Sequence, residues 1–426
     1  MRQLERYGRE GPDYEGLIHV AGGVDADGYF QAIQAPDSSI AIGCLFEGVV
    51  PLPDDLSDVP IDGFATNGWL LHPEGQILSL FHGFHNANGV ATTEATISPI
   101  RLRATRLPEE HRNYLHIRFA VANLLFGTGR AKPEPIEFEA AGRQILLTPI
   151  ESYVDIAGRL QSLSGVATTV TVKISSSTGE RHRVDQDAAF MDRLVSVLRL
   201  WSGTKTDWIR AEGLDDSGEQ AVEILHKHGT VGTRPHSIAS LGWRVDLSEF
   251  VRAFFADGDG VLPEREVRNL ISYFVDAWAE GPYLEVRGLA AATLLDALTA
   301  KVAVSHNKQD AISEKQFNED VLPLLRSAID TTKLSEGVRG QLKSNAQGMF
   351  RASFRRRLNL LNTELDLGMT KSFSDRIIRS RDSLVHEGRF AAIRGMQNWD
   401  EYRSIVWTDW TALCRLIGYG LPLPSK

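Results

Sequence analysis

The spacing of apolar residues changes once along this chain of 426 residues, and this change constrains the fold most. Near the middle of the first half, Ile117, Phe119 and Val121 alternate with polar or small residues, as a half-buried strand requires. After Asp246 the apolar residues recur every three to four positions, as on helices with one buried face. The sequence therefore predicts an α+β multidomain protein, with a β-rich N-terminal region followed by an all-α helical bundle.

The border between the two regions is predicted near residue 245. In the region 1–245, further alternation at Val170, Val172 and Ile174, and a hairpin around 140–143, predict a sandwich or barrel-like fold with one helix near 188–201. The region 246–426 divides into helical segments joined by short connections, which is typical of a bundle, with a core at about 283–426. The predicted segments are 247–256, 264–279, 284–304, 314–330, 338–362, 372–387 and 398–417.

Several classes of protein are disfavoured by composition. The N-terminal residues are charged and lack the apolar core of a signal peptide. The longest apolar stretch, 288–304, contains Asp296 and Lys301, so we expect no membrane span. Cys44 and Cys414 are the only cysteines and lie far apart in sequence, which argues against a disulfide scaffold or a cysteine zinc site. These features predict a cytoplasmic protein.

No metal or cofactor is expected from the motifs. The segment 257–260 resembles a calcium loop but has Phe255 where an EF-hand needs its first carboxylate. Two histidine pairs lack a third ligand nearby in sequence, namely His82 with His85 and His226 with His228. Phosphate-binding GxxxxGK[ST] loops, GxGxxG turns and GxSxG elbows do not occur in the sequence.

The distribution of charge is uneven. The whole chain carries −9, but residues 339–426 contain fifteen Lys or Arg against eight Asp or Glu, a local balance of +7 that leaves −16 for the rest. Such asymmetry is typical of a nucleic-acid-facing domain joined to an acidic partner domain, although basic segments are more often solvated helix faces.

One segment of the basic region combines a helix with unusual polar residues. Ser372 is predicted to cap a helix that Gly388 ends. An apolar stripe is predicted at Ile377, Ile378, Leu384 and Val385, with Arg379, Asp382 and His386 on the opposite side.

Arg381 projects towards the centre of that stripe, where an unpaired charge is unfavourable. It therefore pairs with a carboxylate on a neighbouring helix, such as Asp296 or Glu285, emerges at a subunit interface, or turns because the helix ends irregularly at His386. The functional interpretation is an arginine held rigidly to meet a phosphate, which guanidinium binds bidentately.

The pattern Arg381-Asp382-x3-His386 resembles the signature of HEPN domains, in which Arg, then Asn, Asp or His, then three residues precede His. The context RIIRSRDSLVHEG and the preceding LKSNAQGMFRASFRRRLNLL are similar to the Apea-like branch of that family. The detailed resemblance covers 283–426 and implies an HEPN-like bundle, often dimeric, that cleaves RNA without metal.

The resemblance implies a 2′-hydroxyl attack that leaves a 2′,3′-cyclic phosphate, with catalytic residues Arg381, Asp382 and His386. His386 supplies a group that titrates near neutrality, Arg381 a cation for the phosphorane, and Asp382 an acceptor that orients the imidazole. We also expect RNA-backbone binding by basic residues that have solvated helix charge as the alternative, namely Arg379, Arg355, Arg356 and Arg357.

Two functions are compatible with this pattern. The first is an endoribonuclease in antiviral or toxin-like defence, whose N-terminal region senses a trigger ligand or phage protein. The second is a non-catalytic nucleic-acid-binding or scaffolding protein, since the family includes degenerate members. On one helix Arg381 and His386 stand about 140° apart, so a homodimer is expected to combine one residue from each chain.

Overall fold

The chain forms two compact units, Met1–Phe255 and Ala256–Lys426. The computed structural model describes residues 14–20, 26–34, 40–47, 61–65, 70–87, 90–105, 113–114, 116–126, 131–162, 165–176, 178, 181–214, 220–226, 246–256, 260–278, 283–347 and 349–420.

The first unit is built on one antiparallel sheet. Twelve strands pair in the order β3-β2-β1-β4-β5-β6-β14-β13-β8-β11-β10-β9, and β7 pairs with β12 separately. The strands are β1 Tyr14–Val20, β2 Ala26–Gln34, β3 Ile40–Glu47, β4 Ile61–Ala65, β5 Leu70–Ala87, β6 Val90–Thr105, β7 Asn113–Tyr114, β8 His116–Ala122, β9 Ile136–Ala140, β10 Arg143–Pro149, β11 Thr168–Ser176, β12 His182–Arg183, β13 Asp207–Leu214 and β14 Gln220–His226.

The first six strands close on themselves. β3 pairs with β6 as well as with β2, so the pairings from β1 to β6 return to their starting point. The length of β6 makes this possible, because residues 92–97 pair with β3 while residues 101–105 pair with β14. The unit thus combines a closed six-stranded ring with an open sheet that continues from β6.

The open sheet confirms the predicted alternation. Ile117, Phe119 and Val121 of β8 are fully buried, and the apolar residues of β11 are buried beside them. The predicted hairpin is formed by β9 and β10. Helices α1 Tyr153–Ser162, α2 Val184–Ser202 and α3 Leu247–Phe255 pack on this sheet. Because α3 packs against β9 and α2, the first unit extends past the border expected near residue 245.

The second unit is helical throughout its described residues. Its elements are α4 Glu264–Trp278, α5 Leu284–Ser305, α6 Glu314–Gln316, a π-helical turn Phe317–Val321, α7 Leu322–Asp330, α8 Glu336–Ala346, α9 Phe354–Glu364, α10 Lys371–Glu387 and α11 Asn398–Leu416.

The prediction of one helix over 338–362 is wrong, because the chain leaves the helical path between α8 and α9. Phe350 is buried in a small cluster with Phe317 and Leu322, and its carbonyl accepts from the Ala311 amide. Ser353 then caps α9 by accepting from the Arg356 amide at 3.3 Å.

Helix α5 is the centre of the bundle, in contact with α4, α9, α10 and α11. By length and composition alone it could cross a membrane, and half of its most apolar window is buried inside the structure. Ala291, Leu295 and Leu298 are fully buried, and Asp296 carries ion pairs to two other helices. This packing is that of the core helix of a bundle.

Candidate functional site

Helix α10 carries the motif and has defined ends. The Thr370 hydroxyl accepts from the Phe373 amide at 3.3 Å, so Thr370 caps the helix and the prediction of Ser372 as the cap is wrong. At the other end Gly388 adopts a left-handed conformation, with φ of 69°, and donates to the Leu384 carbonyl, as predicted. The motif residues therefore occupy the last two turns of a regular helix.

The buried face of α10 is narrower than predicted. Ile377, Ile378 and Leu384 are buried, but Val385 is 37% exposed and does not belong to the buried stripe. Leu384 lies against α5 at Gly288, where a β-carbon would come within 3.1 Å of Leu384 and 2.7 Å of Phe390. This close approach at Gly288 fixes how α10 lies along α5.

Arg381 reaches a carboxylate on α5, which is one of the possibilities left open by the sequence. Its Nε donates to Asp296 Oδ2 at 3.0 Å, its Nη2 contacts the same oxygen, and its side chain is only 14% exposed. Asp296 Oδ1 also pairs with Arg357 Nη2 of α9 at 3.3 Å. One carboxylate thus joins α5, α9 and α10.

Two further groups complete the surroundings of Arg381. Asp382 Oδ1 accepts from Nη1 at 2.9 Å, and the ring of Phe354 lies under the guanidinium with its centroid 4.8 Å from Cζ. Burial lowers the pKa of Arg381, but hydrogen bonds to Asp296 and Asp382 outweigh burial and leave the pKa raised. The guanidinium is therefore charged, held in one orientation by these contacts and balanced by two carboxylates.

His386 lies apart from this network. Its side chain is exposed and makes no hydrogen bond or ion pair with the described residues. Asp382, expected to orient the imidazole, is instead bound to Arg381. Within a single chain the structure therefore brings Arg381 and Asp382 together and leaves His386 open to solvent.

The four candidate RNA-binding arginines differ in their availability. Arg379 is exposed on α10, and Arg356 is exposed with one long contact of 3.5 Å to a backbone carbonyl. Arg355 is exposed and pairs with Asp375, whose pKa is lowered by that hydrogen bond. Arg357 is largely buried against Asp296 and belongs to the network around Arg381.

A buried carboxylate that sequence reasoning missed orders the loop after the motif. Glu401 of α11 is fully buried and accepts from the Ser380 hydroxyl at 2.7 Å and from the amides of Ala391 and Ile393 at 3.0 and 2.9 Å. An acid near the start of a helix, followed by Tyr402, Arg403 and Ser404, gives no sequence signal for this contact. Glu401 anchors the chain beyond Gly388 to the bundle.

Other reactive groups offer no alternative centre within the described ranges. No cluster of three or more His, Cys, Asp or Glu side chains suits a metal ion there. Burial raises the pKa of the Cys44 thiol to about 12 and that of Cys414 well above its ordinary value, so neither is a ready nucleophile. His226 is half-buried, and its ring packs against Trp208. Residues 257–259 and 228 and the side chains of 82 and 85 lie outside the described residues.

Comparison of the chain with protein-family models, with curated proteins and with solved structures finds no match.

Proposed function

We propose that this protein is a metal-independent endoribonuclease of the HEPN type, acting in cytoplasmic defence or toxin-like RNA cleavage. The observation that carries the proposal is the state of the motif helix. Arg381 is held rigidly as a cation while His386, on the same last two turns of α10, stays exposed and unengaged by the described residues. A fixed cation and a free imidazole on the same helix are two groups that phosphate-ester chemistry uses.

In the proposed reaction the 2′-oxygen of a ribose attacks the adjacent phosphorus and the bond from phosphorus to the 5′-oxygen breaks. The 2′-hydroxyl loses its proton to a base, and the departing 5′-oxygen gains a proton from an acid. An imidazole performs either transfer near neutrality, which is the function we assign to His386. The products are a 2′,3′-cyclic phosphate and a 5′-hydroxyl.

The guanidinium of Arg381 is assigned to the phosphate. Charge grows on the non-bridging oxygens as the phosphorane forms, and a preorganised donor stabilises that charge without further reorientation. Asp296 and Phe354 supply the preorganisation by fixing the Nε edge and one face of the group. Arg379, Arg355 and Arg356 are assigned to the flanking RNA backbone, whose phosphates attract exposed cations.

A homodimer is the proposed working form. Arg381 is directed into the bundle and His386 into solvent, so two symmetry-related α10 helices would complete one site better than a single chain does. Exposed apolar residues flank the contact of Gly288 with Leu384, namely Val286, Leu289 and Val385. Val406, Trp410, Leu413 and Ile417 of α11 are buried within the unit, which favours packing within the chain over a dimer contact for these four residues.

A non-catalytic binding or scaffolding protein is the second candidate. The observation that favours it is that every nitrogen of the Arg381 guanidinium already has a carboxylate partner. An arginine used only to join three helices would have the same contacts. In that case His386 would be one more exposed histidine.

The deciding experiment incubates the purified full chain with total RNA and maps the new ends. The nuclease proposal predicts 5′ fragments that end in a cyclic phosphate or its hydrolysis product, and no cleavage by His386→Ala. Removal of a general acid–base typically lowers a rate by about 10²–10⁴-fold. Equal cleavage by a folded His386→Ala protein would refute the assignment of His386, and no cleavage by the wild type would favour the scaffolding alternative. The same assay, repeated with added phage proteins or small molecules, tests whether the N-terminal unit senses a trigger.

A further inference from the structure

The two carboxylates that bind Arg381 are unequal. The Asp296 side chain, 26% exposed, is enclosed between α5, α9 and α10 and shared with Arg357. The Asp382 side chain is 49% exposed and has Arg381 as its partner among the described residues. A ligand arriving from solvent therefore meets Asp382 first, on the Nη1 side of the guanidinium.

If the contact between Arg381 and Asp296 were broken, the Asp296 carboxylate would stay enclosed among the helices without this partner, which is unfavourable. Removal of Asp382 would only return a half-exposed carboxylate to water, and exposed ion pairs of this kind are weak. Of the two contacts, the one to Asp382 is the one that a phosphate oxygen can replace. Since a phosphate oxygen is also an anion, Arg381 keeps its charge balance during the exchange.

Asp382 has a second partner within reach. It lies four residues before His386 on the regular helix α10, and side chains at that spacing are neighbours on the helix surface. In the structure this pairing is unused, because Asp382 turns towards Arg381 and His386 makes no contact with the described residues. A carboxylate released from Arg381 would accept a hydrogen bond from the imidazole N–H and hold the ring in one orientation.

We propose that Asp382 is an exchangeable positioning residue, which occupies Arg381 in the resting protein and passes to His386 when an RNA phosphate takes its place. This inference rests on the proposed nuclease function and adds an order of events to it. Binding of a substrate phosphate at Arg381 would orient His386 of the same chain, which serves the symmetry-related site of the proposed homodimer. The resting enzyme would have its cation neutralised and its imidazole without a partner.

The test separates binding from turnover in the variant Asp382→Ala. Loss of the competing carboxylate should tighten binding of a mixed-sequence 2′-O-methyl oligonucleotide, which cannot be cleaved, about threefold to fivefold. Loss of the imidazole's partner should lower kcat on cleavable RNA by about tenfold or more. A residue that only stabilises the fold would not tighten binding while it slows turnover.

The matched control is Glu387→Ala. It removes the same charge one residue from His386, but Glu387 is exposed and its partner is Arg389. We expect the control to bind the oligonucleotide less tightly than Asp382→Ala does and to keep the kcat of the wild type. Anisotropy of the labelled oligonucleotide and single-turnover kinetics give the two quantities.

The exchange at Arg381 would be overturned if Asp382→Ala bound the oligonucleotide no more tightly than the control does. The transfer to His386 would be overturned if Asp382→Ala kept the kcat of the wild type. If the wild type cleaves no RNA and Asp382→Ala still binds more tightly than the control, the nuclease proposal fails while the exchange at Arg381 is supported. Wild-type cleavage together with both shifts supports the whole sequence of events.

Discussion

Replacement of Arg381 should destabilise the protein, whereas replacement of His386 should not. Arg381→Ala removes two donors from Asp296, one from Asp382 and the cation that lies over Phe354. His386→Ala removes an exposed ring that has no partner among the described residues. We therefore expect the first variant to loosen the bundle and the second to leave it unchanged.

The magnitude follows from the contacts. Hydrogen bonds to a charged group contribute about 1.5–3 kcal/mol, and a cation over an aromatic face about 0.5–1 kcal/mol. The half-exposed contact with Asp382 adds about 1 kcal/mol at most. Arg357 stays on Asp296 and limits the loss, because the carboxylate keeps one partner. We expect Arg381→Ala to lower the unfolding free energy by about 2–4 kcal/mol and His386→Ala to change it by less than about 0.5 kcal/mol.

Hydrogen exchange localises the effect within a chain of two units. Amides of α5, α9 and α10 should lose protection in Arg381→Ala, since their opening free energies fall with the network that joins these helices. Arg403→Ala is the matched control, because Arg403 is an exposed arginine of α11 without a partner in the described ranges. If Arg381→Ala exchanges like the control, the contact with Asp296 carries no stability and the reasoning is refuted.

Three other predictions concern chemistry, assembly and pH. RNA cleavage should survive EDTA, and activity that vanishes with chelator and returns with magnesium would contradict the proposed mechanism. Mixed Arg381→Ala and His386→Ala chains should recover part of the activity. A protein that light scattering shows to be strictly monomeric, and that still cleaves RNA at the full rate, would exclude a shared site. Asp409 is fully buried and has no hydrogen-bond partner in the part of the chain that the structure describes, and burial raises its pKa. The folded state therefore keeps a proton that the unfolded state loses above about pH 3.9, so the contribution of Asp409 to wild-type stability should fall by up to about 1.4 kcal/mol per pH unit above that point. Asp409→Asn should remove this dependence, and parallel stability curves for the two proteins would contradict the assignment.

Periodicity was sufficient to predict most helices because a single buried face repeats every 3.6 residues. It failed between α8 and α9, where apolar residues continue in helical spacing although the chain turns. The turn depends on Phe350 entering a pocket beside Phe317 and Leu322, which are distant in sequence. The cap of α10 was missed for a local reason, since Thr370 and Ser372 are both good capping residues and only the backbone geometry selects Thr370.

The carboxylate that pairs with Arg381 depends on how far α10 is shifted along α5, which the sequence does not show. Glu285 and Asp296 are separated by three turns of α5, so only the position of α10 along α5 decides between them. Gly288 sets that position, because it admits Leu384 and Phe390 where any side chain would collide. Gly288 faces Leu384, and Asp296, which follows Gly288, pairs with Arg381, which precedes Leu384. The two helices therefore run in opposite directions. Glu285 lies on the other side of the Gly288 contact.

A structural function and a chemical function of Arg381 are compatible, because the same contacts serve both. An arginine that is free in solvent loses rotamer entropy when it binds a phosphate, whereas a guanidinium already fixed by Asp296 and Phe354 has lost it on folding. Rigid placement in the bundle therefore favours later phosphate binding, provided that one edge can be vacated. The exposure of Asp382 supplies that edge. It follows that loss of activity in Arg381→Ala alone cannot separate the two functions. Asp382→Ala separates them, because it leaves the contact of Arg381 with Asp296 in place while changing what a phosphate meets.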